Sequence, residues 1–172
     1  MAEKLTLAVL NKLSSPDFVR LIGPVFEHSP WIAETVVEQR PFADFLHLHR
    51  ALCEVVINSI EEKQLALIRA HPDLVGKLAL AGQLTRESTN EQASAGLAQL
   101  TSDEVALFQR QNAAYKTKFN FPFVICARLN KKEAIIAGFE RRVNNSQAEE
   151  LKTALEEICK IAELRLKDLI NH

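Results

Sequence analysis

Six prolines limit how this chain can fold more than any other residue type does. A proline ring fixes φ, removes an N–H and pushes the preceding residue out of the α region, so each one marks a place where a helix begins or has to stop. Ser14-Ser15-Pro16 reads as a helix start, and Gly23-Pro24 ends that helix after Phe18, Leu21 and Ile22 have turned inward. Pro30 opens a second helix with Trp31, Ile32, Val36 and Val37 as its apolar residues, stopped by Arg40-Pro41. A third, near residues 43–60, is expected to bury Phe45, Leu46, Leu48, Leu52, Val55, Val56 and Ile60. A fourth, from Glu61 to Ala70, has to end before His71-Pro72, and Asp73 to Leu80 makes one further turn that Gly82 breaks.

Three later helix starts carry the S/T-x-x-E capping pattern: Ser88 with Glu91, Thr101 with Glu104, and Ser146 with Glu149. The second opens a helix over 102–118 and the third a long one over 147–170, with another over 131–143 between them. Phe119 to Leu129, FNFPFVICARL, is the one strand-like stretch, but Pro122 argues against a central place in a sheet. It reads as an extended segment crossing the helices, its backbone groups largely outside regular structure and available to a ligand. The expected fold is therefore all-α, a single-domain bundle over 1–172 with about eight to ten helices and one extended segment near 119–129. Five glycines and one tyrosine, against many Ala, Leu, Glu and Lys, agree with helix over strand.

A net charge of -1 gives no global pull toward nucleic acid or anionic lipid. No run approaches the roughly 18 apolar residues that cross a bilayer, and MAEKLTLAVLNKL is too short and mixed for a signal peptide. The ending Leu169-Ile170-Asn171-His172 lacks the S-K-L address, which points to the cytoplasm. Cys53, Cys126 and Cys159 form no CxxC pair and are read as reduced core thiols.

Chemistry concentrates between His71 and Leu100. His71 can exchange a proton near neutrality, or it can simply bond the last carbonyls of the helix it ends. Ser88 and Glu91 serve as a capping box, which would also hold them rigidly at a helix N-terminus that favours an anion. On the last helix, Leu151, Leu155, Ile158, Ala162, Leu166 and Leu169 make an apolar stripe, and Arg165 falls inside it. A guanidinium facing a core needs an anion, either a protein carboxylate or a bound substrate. His47 and His49 are two apart and point away from each other on a helix, unlike a metal pair, and no metal site is expected. His28 and His172 have no obvious liganding neighbours. Lys116, Lys118, Lys131, Lys132, Arg141 and Arg142 are read as solvated surface.

HPDLVGKLALAGQLTRESTNEQASAGL, then NAAYKTKFNFPFVICAR, then IAELRLKDL, with Arg40-Pro41-Phe42 upstream, resemble the 2-oxo-4-hydroxy-4-carboxy-5-ureidoimidazoline (OHCU) decarboxylase family of urate degradation. The resemblance implies an all-helical homodimer that uses no cofactor and converts OHCU to (S)-allantoin and CO2. It implies catalytic roles for His71 and Glu91. Pro72, Ser88, Gln92, the backbone around Phe123-Val124-Ile125, and Arg165 are the implied substrate contacts. Two readings from other classes stand beside it: a non-catalytic helical sensor of a purine catabolite, and a metal-dependent hydrolase of ureido compounds.

Overall fold

The computed structural model describes residues 4–171. The first three residues of the start and the histidine at 172, both read above, lie outside the described residues. Within them the chain is all-α: α1 Leu7–Leu10, α2 Ser15–Ile22, α3 Trp31–Val36, α4 Phe45–Ile57, α5 Glu61–Ala70, α6 Lys77–Leu80, α7 Arg86–Ser94, α8 Ser102–Phe119, α9 Lys132–Arg142 and α10 Gln147–Leu169. Short 3₁₀ turns occupy Gly23–Val25, Val37–Gln39 and Ala127–Leu129. Among the described residues no helix is long and apolar enough to cross a membrane. The chain divides into two compact units, one made of the residues up to Ala70 together with those from Cys159 onward, the other of His71–Ile158.

In the first unit the proline punctuation is realised closely. Ser14 caps α2 by accepting from Asp17 N–H at 3.2 Å, with proline in the first turn, and Pro30 leads into α3. Asn11 pairs with both backbone groups of Phe42, each at 2.9 Å, and the Arg40 guanidinium lies 5.3 Å from the centre of the Phe18 ring. The inner face of α4 is narrower than expected. Leu48, Ala51, Leu52, Cys53 and Val56 are buried, Phe45 and Val55 are half-buried, and Leu46 and Ile60 are 62% and 61% exposed. Leu46 sits about 160° around the helix from Leu48. Ile60 lies beyond the end of α4. His47 and His49 have structural partners, the former accepting from Ala43 N–H and the latter meeting Cys159 O at 2.9 Å. Cys53 Sγ lies 3.3 Å from His49 Nε2, and the neighbouring Cys159 thiol together with burial raises the Cys53 pKa.

The second unit is built around a buried polar knot inside an aromatic cluster. Arg142 donates to Glu150 through Nε at 2.9 Å and Nη2 at 2.6 Å, and its Nη1 donates to Val124 O at 2.8 Å. Tyr115 donates its phenol to the same Glu150 carboxylate, and Asn145 reaches the other oxygen at 2.7 Å. Around the knot Phe123 stacks on Phe139 at 3.8 Å, with the guanidinium 4.3 Å from the Phe123 ring. Gly138 permits this approach, since a Cβ there would sit 3.3 Å from the Phe123 ring edge. Arg142 was expected on the surface and is instead buried. It shares a helical face with Ile135, Gly138 and Phe139, so the periodicity of α9 carried the signal.

Tyr115 is the single tyrosine of the chain, which makes its titration readable. Burial, and then the neighbouring Glu150 carboxylate, hold the phenol well above its usual range. The folded state thus favours the neutral form, so its contribution to stability is complete below about pH 10 and is lost as pH rises beyond it. Phenolate absorbance should appear only together with unfolding, followed by Trp31 fluorescence. A separate phenolate titration near pH 10 in folded protein would contradict the burial described.

Candidate active site

His71 is the first residue after α5, placed in a bend because Pro72 prevents the helix from continuing, and it is 7% exposed. The turn that follows is strained. Val75 has φ +53, a left-handed conformation that a β-branched residue rarely adopts and that costs about 1–3 kcal/mol. Gly76 follows because a Cβ there would come within 2.6 Å of Asp73 Cβ. One peptide plane in this turn is gripped on both edges. The Val75 N–H donates to Gln92 Oε1 at 3.1 Å, and Leu74 O accepts from Asn112 Nδ2 at 2.8 Å. Lys116 also pairs with Asp73 at 2.9 Å.

The helix α7, RESTNEQAS, has almost no hydrocarbon to bury. Its buried side chains are Ser88 and Gln92, one turn apart, at 4% and 7% exposure, with Glu91 half-buried beside them. The capping expected of Ser88 and Glu91 is not what forms. Thr85 is the N-cap, accepting from Ser88 N–H at 3.3 Å, so Ser88 and Glu91 lie within the helix and not at its free end. The physical reason is that Thr85 offers a capping hydroxyl three residues earlier, which leaves the Ser88 side chain to turn inward. The other two boxes form as expected, Thr101 with Glu104 and Ser146 with Glu149.

The extended segment is shorter than 119–129, since α8 runs through Phe119 and Ala127–Leu129 is a 3₁₀ turn against which α7 packs. Phe121, Phe123, Val124, Ile125 and Cys126 are all buried. Its backbone is partly committed: Val124 O accepts from Arg142, and Cys126 N–H donates to Glu157 at 2.8 Å. The N–H groups of Phe123, Val124 and Ile125 make no hydrogen bond among the described residues. Buried N–H groups in that condition are suited to an acceptor ligand. Burial first, then Glu157 and Glu91, push the Cys126 thiol up to about 11, so it is a poor nucleophile.

His71, Pro72, Ser88, Glu91, Gln92 and Phe123-Val124-Ile125 all belong to the second unit, and Arg165 to the first. The anion that Arg165 requires is present in the protein. Its Nη1 and Nη2 each lie 3.1 Å from Glu27 Oε2, and Nη1 also meets the carbonyls of Pro24 and Val25 at 3.4 Å. Arg165 and Glu27 are 5% and 4% exposed. Glu27 escaped the sequence reading because it lies between helices, where no periodicity marks a residue as buried. Among the described residues no group of three or more His, Cys, Asp or Glu is arranged to hold a metal ion.

Residues 11–167 match the family described as OHCU decarboxylase. A 2-oxo-4-hydroxy-4-carboxy-5-ureidoimidazoline decarboxylase of Haloferax volcanii is 42% identical over 165 residues, covering 96% of either chain. One of the same name from Amia calva is 42% identical over 161 residues, 94% of this chain and 92% of that one. Among solved structures, one of an (S)-allantoin synthase superposes with a TM-score of 0.78 at 27% identity. It covers 97% of this chain, which spans 54% of the length of that protein.

The Glu27–Arg165 pair makes a stability prediction. Arg165→Leu leaves a buried carboxylate without its partner and should cost about 3–5 kcal/mol in urea unfolding. Glu27→Leu with Arg165→Met should recover most of that loss. An Arg165→Leu protein as stable as wild type would show the pair to be dispensable.

Proposed function

This chain belongs to the OHCU decarboxylase family, and on that premise we propose that it decarboxylates OHCU to (S)-allantoin in urate degradation. The observation that carries the reading is α7, a polar helix whose inward side chains are Ser88 and Gln92. The Ser88 hydroxyl and the Gln92 NH2 on that face are the kind of polar groups a ureido-bearing ring requires. The helix is joined through Gln92 to the turn that follows His71.

In OHCU one ring carbon bears both hydroxyl and carboxylate, and its neighbour is joined to nitrogen by an imine-type bond. When the bond to CO2 breaks, its electron pair forms a double bond to that neighbour, and the imine pair moves to nitrogen, which takes up a proton. The substrate is thus its own electron sink. The hydroxyl proton is then removed, the ring carbonyl forms, and the displaced pair captures a proton at the neighbouring carbon, which becomes the stereocentre.

In this proposal His71 removes the hydroxyl proton as general base, and Glu91 orients its imidazole and stabilises the charge the ring gains on taking that proton. Pro72 fixes the imidazole's backbone, and the Ser88 hydroxyl bonds the ureido arm. The Gln92 oxygen is used by Val75, so its NH2 is the group offered to substrate. The N–H groups of Phe123, Val124 and Ile125 receive ring and ureido oxygens. Arg165, already balanced by Glu27, is assigned to the substrate's anionic oxygens. Residues 1–172 work as one catalytic domain, and the homodimer implied by the family resemblance and the cytoplasmic location expected from the sequence belong to the same proposal.

His71→Asn tests the assignment through the rate and enantiomeric excess of allantoin formed from fresh OHCU. Loss of general acid–base action should lower the rate by about 10²- to 10⁴-fold. Unchanged rate and chirality would remove His71 from the mechanism.

A further inference from the structure

Asn112 is a buried carboxamide for which the reaction as written has no use. It stands 5% exposed on α8 in the buried row Phe108, Asn112, Tyr115, Phe119, whose other members are aromatic. Nδ2 donates to Leu74 O at 2.8 Å, while Oδ1 is buried without a hydrogen-bond partner among the described residues. An amide with one half orphaned is a poor way to stabilise a helix, because the unpaired oxygen has lost its hydration and gained nothing. What the side chain accomplishes is local. The carbonyl it holds and the N–H held by Gln92 are the two edges of the same peptide bond, the one leading into left-handed Val75.

We propose that Asn112 is a positioning residue for the decarboxylation, clamping the Leu74–Val75 peptide plane opposite Gln92 and so fixing where the His71 imidazole stands. The proposal rests on the assignment of His71 given above. With one edge of the plane released, the peptide can rotate and Val75 can relax to negative φ. His71-Pro72-Asp73, tied directly to this turn, shifts with it. The inward face of α7 and the 123–125 backbone stay in place, so substrate still binds but meets a displaced base. The loss falls on kcat and leaves KM nearly intact.

Asn112→Leu is the test, compared with His71→Asn and wild type for kcat, KM and thermal melting. Leucine fills the site and removes the orphaned oxygen, so melting should stay cooperative and within about 4 °C of wild type. kcat should fall about 10- to 100-fold, the loss that a misplacement near 1 Å brings, with KM changed less than about threefold. The His71 ring signals in an NMR spectrum of the folded variant should move or broaden. If Asn112→Leu does not fold, Asn112→Ser, too short to reach Leu74 O, is judged by the same split. A folded variant with wild-type kcat and unmoved His71 signals, beside an inactive His71→Asn, overturns the role of Asn112 alone. His71→Asn at the wild-type rate overturns the proposal together with the assignment on which it rests.

Discussion

A single peptide bond, Leu74–Val75, is held in a conformation its own side chain resists, and the placement of His71 depends on that hold. Valine at φ +53 would relax if its backbone were free. Two carboxamides from different helices, Gln92 of α7 and Asn112 of α8, prevent it by taking the N–H and the carbonyl. Pro72 supplies the remaining constraint by ending α5 immediately before His71. Strain of this kind persists only where the surroundings over-determine it, and here the surroundings are two buried hydrogen bonds and a glycine with no room for a side chain.

A second buried polar cluster ties together the rest of the second unit. Glu150 gathers Arg142, Tyr115 and Asn145 on its two oxygens, and Arg142 carries the knot to the backbone at Val124. The extended segment is held at Val124 O by Arg142 and at Cys126 N–H by Glu157, while the N–H groups of Phe123, Val124 and Ile125 make no hydrogen bond among the described residues. Burial first, with Glu157 and Glu91 beside it, holds the Cys126 thiol protonated and discourages thiol chemistry there.

Much of the fold could be read from the sequence because its signals are local. Proline set the start of α2, the entry to α3 and the end of α5, and two capping boxes opened α8 and α10. What escaped was set by tertiary contact. Thr85 displaced Ser88 as a cap, which left Ser88 inside the helix, facing inward beside Gln92. Glu27 is buried in a connection between helices, where no repeat marks the inner side. Arg142 was legible from the face it shares with Phe139 but was grouped with exposed lysines by charge alone. Nothing in the sequence of α8 marks Asn112, and only its hydrogen bond to Leu74 O distinguishes it. The family resemblance named the candidate residues. The structure adds which of their atoms are already committed, such as the oxygen of Gln92 and the guanidinium of Arg165.

The account comes down to whether a ureido-bearing ring lodges against the buried polar face of α7 within reach of His71. A crystal structure of the protein with (S)-allantoin measures that directly. The account predicts the ring oxygens on the N–H groups of Phe123, Val124 and Ile125, the ureido arm on Ser88 and the Gln92 NH2, and the His71 imidazole within hydrogen-bond distance of the ring. Allantoin bound with none of these groups in contact, and His71 turned away from it, would contradict the account.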